Sequence, residues 1–202
     1  KKDKTNRPPI IISSVPLPYK IEEDAIAKNQ GIERIKPFLI KEAKRLEKSG
    51  ADFIVMPCNS LHIFYEDICK GVNIPVLSIV DETVKFLQKK NMKTVGIVST
   101  SATIQNQLYE QAFEKNNISY VAPDKLQQAK MGKIIHNLVT GQQNNRDRET
   151  LIEIINSFEK LNVDCVILAC TDLQLLIPKH PNLKIYDTMN ILADATVEKI
   201  LG

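Results

Sequence analysis

The 202-residue chain lacks any Cys-x-x-Cys pair. Its four cysteines, at 58, 69, 165 and 170, are spaced for neither a zinc site nor a dithiol redox centre. They read as reduced thiols of a cytoplasmic protein, and a free cysteine is by default a small buried hydrophobe. The three histidines, His62, His136 and His180, are scattered, so no metal is expected. No apolar stretch reaches the roughly 18 residues that span a bilayer, and no secretory signal is visible, so no membrane association is expected. Charge of one sign is also lacking: the net +3 is too weak to argue for nucleic acid, and the basic run at 1–7 reads as a solvated end. With 43% hydrophobic and 25% charged residues, the composition is ordinary for a globular chain. It suffices for one large core or two smaller ones.

What the chain does have is alternation. Apolar runs of strand length at 10–15, 53–56, 76–80, 94–98, 119–122, 165–169 and 184–186 are separated by segments of helical period at 35–48, 82–89, 104–115, 125–139 and 149–160. That alternation signals βαβ units, hence an α/β fold with parallel sheets flanked by helices. Gly50 and Asn162 stand where helix hands over to strand, as helix C-terminal signals should.

A repeat organises these units. Leu46-Glu47-Lys48, two turn residues, Ala51-Asp52, an apolar run, then Cys58-Asn59-Ser60-Leu61 is echoed by Phe158-Glu159-Lys160, two turn residues, Val163-Asp164, an apolar run, then Cys170-Thr171-Asp172-Leu173. After each copy comes a strand candidate ending in an acid, Asp81 or Asp187. The repeat predicts two pseudo-symmetric α/β lobes, 1–92 and 93–202, with the C-terminal helix able to pack back on the first. Each lobe carries its cysteine just past a strand's C-terminal end, the edge where open parallel sheets bind ligands. Two such lobes facing across a cleft present Cys58 and Cys170 from opposite walls. The first lobe begins at 10–15, the counterpart of 119–122. Its own opening strand and helix are absent, which reads as a chain incomplete at its N-terminus.

Opposed thiols suit one chemistry well. Racemisation at an α-carbon needs a base on one face and an acid on the other, and a thiol's reference pKa of about 8.5 lies near working pH. Both cysteines precede a loop-to-helix junction, whose free N–H groups favour the thiolate and can hold a carboxylate. Without an electron sink, the developing carbanion must be stabilised through the substrate's carboxylate. Well-placed donors contribute on the order of 3–4 kcal/mol each. Asn59, Ser60 and Thr171 follow the cysteines and are donor-rich; they are also preferred helix caps, a compatible role.

At these residues the chain resembles the aspartate/glutamate racemase family. Met56-Pro57-Cys58-Asn59-Ser60-Leu61-His62 is similar to its Pro-Cys-Asn-Thr-x-His segment, Ala169-Cys170-Thr171-Asp172-Leu173 to its Cys-Thr-Glu segment, and Thr100-Ser101-Ala102-Thr103 to the Thr-x-x-Thr turn opening its second lobe. Ile74-Pro75-Val76-Leu77 and Asp81-Glu82-Thr83 fit the stretch between. The resemblance implies two pseudo-symmetric α/β domains, a homodimer, and racemisation of a small acidic amino acid without pyridoxal phosphate or other cofactor. It implies Cys58 and Cys170 as catalytic residues. Asn59, Ser60, Thr100, Thr103 and Thr171 then hold the substrate's carboxylate and amino groups. Two departures concern cations. Lys20 stands where many aspartate racemases have Arg, making it the candidate for the side-chain carboxylate. Val139-Thr140-Gly141 replaces a stretch carrying another family Lys.

Three rival readings remain open at this point: a hydantoin racemase, maleate isomerase or arylmalonate decarboxylase of the same superfamily; a non-catalytic two-lobed binding protein with packed cysteines; and a redox protein with a Cys58–Cys170 disulfide. Retention of both cysteines, with Asn or Thr directly after them, favours a racemase. His62 is expected to be structural, and Cys69 and Cys165 to be packing residues.

Overall fold

The computed structural model describes residues 8–27, 30–176 and 179–202, so the basic run at 1–7 lies outside the described residues. In chain order the elements are α1 (Tyr19–Ala27), α2 (Lys36–Lys48), β1 (Ile54–Val55), α3 (Tyr65–Gly71), β2 (Val76–Leu77), α4 (Ile79–Lys89), β3 (Thr94–Ser99), α5 (Ser101–Gln105), α6 (Leu108–Lys115), β4 (Ser119–Val121), α7 (Lys125–Val139), α8 (Asn145–Glu159), β5 (Cys165–Ala169), β6 (Lys184–Asp187) and α9 (Thr188–Leu201). Short 3-10 turns cover Ile32–Ile35, Ser60–Phe64 and Leu173–Leu175.

Every residue of β5 is buried. A strand covered on both faces reads as an unbroken apolar run, which is why this one is legible in the sequence. It lies inside a four-stranded parallel sheet of order β4-β3-β5-β6. The two-residue period of the strand divides the core. Val166 and Leu168 pack with Met131 and Ile134 of α7 and Leu151 and Phe158 of α8. Cys165, Ile167 and Ala169 pack on the other face with Val84 and Leu87 of α4 and Tyr109 and Phe113 of α6. Asp164 splices the sheet at its start, accepting hydrogen bonds from the N–H groups of Lys93 (2.7 Å) and Thr94 (2.9 Å). Gly96 is required by close approach: a Cβ there would lie 2.5 Å from Cδ2 of Phe158.

A second parallel sheet pairs β1 with β2. Ile54 and Val76 share a core with Leu39 and Ala43 of α2 and Ile68 of α3. The C-terminal helix α9 joins the two halves. Its Leu192 lies in one cluster with Leu77, Ile79 and Leu87, and Lys199 sits over the Phe53 ring, 5.4 Å from its centroid. Both predicted handover residues are left-handed, Gly50 at φ 87° and Asn162 at φ 54°.

Four expectations need correction. The apolar run at 10–15 is not a strand: no strand among the described residues pairs with it, and Ile10, Ile11 and Ile12 stand exposed. Hydrophobic composition alone does not supply a ladder partner. The run at 76–80 is a strand only to Leu77, because Ser78 caps α4 by accepting from the N–H of Asp81. Hence Asp81 is not the structural counterpart of Asp187. Asp187 caps α9 through Met189, as Ser78 caps α4. The predicted helix at 104–115 is broken at Gln107, φ 51°, into α5 and α6. One helix, α1, forms where no helical segment was predicted, and the expected C-terminal helix is α9.

Candidate active site

Each of the two predicted cysteines follows a strand of a different sheet. Beyond β1 the chain tightens, Cys58 N–H donating to the Met56 carbonyl at 2.9 Å, and then enters the turn Ser60–Phe64. Beyond β5, Cys170 leads into the turn Leu173–Leu175. These are the loop-to-helix junctions expected from the sequence, though each helix is a short 3-10 turn.

Cys58 is half-buried. Burial pushes its thiol above the usual value. The backbone N–H groups of Leu61 and Ser60 counter this, and the Asp172 carboxylate adds to the rise. Cys170 is 5% exposed and packs against Leu173 and Leu176. Its thiol donates to Asp172 Oδ2 at 3.8 Å. Burial pushes it up to about 12; the N–H groups of Asp172 and Leu173 oppose the shift, and the charges of Asp172 and Cys58 reinforce it. Burial shifts both thiols the same way, and the Asp172 charge acts on each of them.

Around them lie hydroxyls from both halves. Ser60 Oγ is 2.8 Å from Thr100 Oγ1 and 3.4 Å from Thr103 Oγ1, and the two threonine hydroxyls are 3.0 Å apart. Thr100 also caps α5, accepting from the N–H of Thr103 at 3.1 Å, so capping and clustering coexist. Thr171 is half-buried between Cys170 and Asp172. Asn59 is turned inward, 2% exposed. Its Oδ1 accepts from Tyr109 Oη at 2.6 Å, and its Nδ2 donates to Thr188 Oγ1 at 3.1 Å.

His62 holds the Cys58 loop from behind. The Ile79 N–H donates to its Nε2 at 3.0 Å, which leaves the ring proton on Nδ1 to donate to the Cys58 carbonyl at 2.7 Å. Burial lowers its pKa below the usual 6.5. The ring is a buried structural group, as expected. Lys20, on α1, is 68% exposed and paired with Asp24 at 3.0 Å. Cys165 is fully buried and Cys69 packs at the edge of the smaller core.

Sequence reasoning missed Tyr109, Thr188 and the carboxylate of Asp172. The first two reach Asn59 across 50 and 129 positions of chain, and their only local signal is a polar hydroxyl at an otherwise apolar, buried position. Among the described residues, no group of three or more His, Cys, Asp or Glu side chains could hold a metal ion. No helix among them is long and apolar enough to cross a membrane.

Comparison with known proteins gives the class. A family model described as Asp/Glu/hydantoin racemase matches residues 2–196. The chain is 30% identical to the broad specificity amino-acid racemase RacX of Bacillus subtilis (strain 168) over 96% of its own length and 83% of that protein's. The crystal structure of an aspartate racemase homologue from Pyrococcus horikoshii OT3 superposes with a TM-score of 0.79 at 26% identity, covering 100% of this chain and 88% of that one. Picrophilus torridus aspartate racemase follows at 0.72 and 29%, covering 92% and 75%. The fold and these relatives define an isomerase of the amino-acid racemase class. The chain belongs to the Asp/Glu/hydantoin racemase family.

Proposed function

We propose that the protein interconverts the enantiomers of a small acidic amino acid, aspartate first and glutamate second, by a two-base mechanism on Cys58 and Cys170. The reading includes work without pyridoxal phosphate, as a cytoplasmic homodimer. The observation that supports it most is that Asn59, next to Cys58, is tied through Thr188 to the carbonyl of Leu168, two residues before Cys170, so the ends of strands from separate sheets are joined where the two thiols lie.

The chemistry follows from the surroundings. Both thiols are raised by burial, which favours their protonated form. A substrate ammonium entering between them supplies the positive charge that favours one thiolate. That thiolate takes the α-proton, and the opposite thiol returns one to the other face. Ser60, Thr100 and Thr103 already form a hydroxyl cluster. Turned toward the substrate carboxylate, they stabilise the charge that develops as the proton leaves. Thr171 completes the proposed contacts, while the Asn59 amide, expected to join them, is engaged with Tyr109 and Thr188; Lys20 is the cation for a side-chain carboxylate.

A broader substrate range is the second reading. The 30% identical relative is named a broad specificity racemase, and Lys20 is exposed and paired with Asp24. Incubating L-amino acids with the protein in heavy water, with α-proton loss followed by NMR and products by chiral chromatography, separates the two. Turnover confined to aspartate and glutamate supports the first, turnover of neutral amino acids the second. No α-exchange with any amino acid excludes both.

A further inference from the structure

We infer that Tyr109, Asn59 and Thr188 form a hydrogen-bonded brace that sets the spacing between Cys58 and Cys170, with Tyr109 and Thr188 as positioning residues; the inference rests on the two-cysteine reading. Tyr109 Oη donates to Asn59 Oδ1 at 2.6 Å, Asn59 Nδ2 donates to Thr188 Oγ1 at 3.1 Å, and Thr188 Oγ1 donates to the Leu168 carbonyl at 3.1 Å. Thr188 Oγ1 also lies 3.4 Å from Asn59 Oδ1, so its proton can reach either that oxygen or the Leu168 carbonyl.

The placement of the two ends is what matters. Asn59 directly follows Cys58, and Leu168 lies in β5 just ahead of Ala169 and Cys170. The brace therefore ties the loop carrying one sulfur to the strand carrying the other, across the two sheets. Tyr109 and Thr188 are fully buried and Asn59 is 2% exposed. In such a site each unmade bond leaves a polar group unsatisfied, a cost that water cannot relieve. The Cys58 loop is thus stable only at the offset where all three bonds close. From the opposite side His62 fixes the Cys58 carbonyl at 2.7 Å, so the residue is held on both flanks.

Local structure is arranged to deliver the tyrosine. The left-handed Gln107 breaks the helix and lets α6 start at Leu108, a conformation unfavourable for a residue with a side chain. Tyr109 then enters the core beside Phe113, ring centroids 5.6 Å apart, with its hydroxyl on Asn59. An apolar residue at 109 would fill that core equally well; the hydroxyl is the part that packing does not explain.

Spacing is the quantity a two-base racemase depends on. Each proton transfer needs a contact of about 3–3.5 Å, and a displacement of about 1 Å can cost on the order of a hundredfold in rate. A slack brace leaves either thiol able to meet the α-carbon while impairing transfer from both faces.

The test compares Thr188→Val, which keeps shape and removes the hydroxyl, with Thr188→Ser, which keeps the hydroxyl, and Tyr109→Phe, which keeps the ring. Each is assayed in heavy water on aspartate, or on the best-turned-over amino acid of a panel if aspartate is not a substrate. Inversion and α-deuterium incorporation are followed together, below the melting temperature of every variant. We expect inversion kcat to fall about tenfold or more in Thr188→Val and Tyr109→Phe, with KM within about twofold and a raised ratio of exchange to inversion. Thr188→Ser should restore inversion. Lower melting temperatures with unchanged kcat and exchange ratio would overturn the brace, as would equal loss in Thr188→Val and Thr188→Ser. If Thr188→Val does not fold, Tyr109→Phe carries the same decision. Cys58→Ser and Cys170→Ser in the same assay separate the readings. Inversion by either at the wild-type rate removes the two-cysteine reading, and the brace with it. Dead cysteine variants beside unaffected brace variants remove the brace alone.

Discussion

Ser60 Oγ stands 2.8 Å from Thr100 Oγ1, so the loop behind Cys58 meets the turn behind β3 through a pair of hydroxyls. Neither hydroxyl is needed to close a helix at Ser60, whose turn has no side-chain cap. In the proposed mechanism they are donors to the substrate carboxylate. Replacing Ser60 by Ala should lower kcat/KM about tenfold or more, since a well-placed donor to developing charge carries effects of that size and larger. Steady-state kinetics on both enantiomers checks this, and loss in both directions is expected because the carboxylate is shared.

The carboxylate of Asp172 raises both thiols, Cys58 and Cys170. A thiol is a base only when ionised, so below its pKa the active fraction grows about tenfold per pH unit. Activity in kcat/KM should therefore climb from neutral toward alkaline pH. Asp172→Asn removes the negative charge, both thiols ionise more readily, and the climb should begin at lower pH. A pH–rate profile that stays in place or moves to higher pH would contradict this.

His62 carries a stability prediction of defined sign. Its folded pKa lies below the usual 6.5 because of burial. Below about pH 6.5 the unfolded chain gains this proton and the folded one does not, so stability falls with pH until the folded pKa is passed. His62→Gln loses both backbone bonds, at roughly 1–3 kcal/mol for buried groups left unpaired. Its disadvantage, measured by urea unfolding, should be larger at pH 7.5 than at pH 5.5.

Much of the fold was legible because local and tertiary demands agree. The strand at Cys165–Ala169 and the helix at Lys125–Val139 fall where the apolar patterns put them; the first is buried on both faces, and the second begins at an Asp124 capping box. The run at 10–15 was misread because a strand is defined by a partner that its own residues do not encode. The break at Gln107 was invisible because the apolar period continues through it. In the site, Cys58, Ser60, Thr100 and Thr103 were legible as motifs, while Tyr109 and Thr188 were not. Their role exists only once Asn59 is brought to them across 50 and 129 positions.

Gly96 offers a check on packing apart from the site. A Cβ would meet Phe158 Cδ2 at 2.5 Å, and the Phe158 ring is 1% exposed within the core. Gly96→Ala should destabilise by about 1–3 kcal/mol, as overpacking of a dense core does. Thermal unfolding measures it.

The two thiols themselves bear the most direct test. Wild-type protein, Cys58→Ser and Cys170→Ser are incubated with L- and D-aspartate in heavy water, and inversion is read by chiral chromatography and α-exchange by NMR. Wild type should invert both enantiomers with deuterium at the α-carbon. Each variant should lose inversion, and any exchange it retains should be confined to one enantiomer, because one face has lost its acid or base. Racemisation at the wild-type rate by either variant would contradict the two-thiol mechanism.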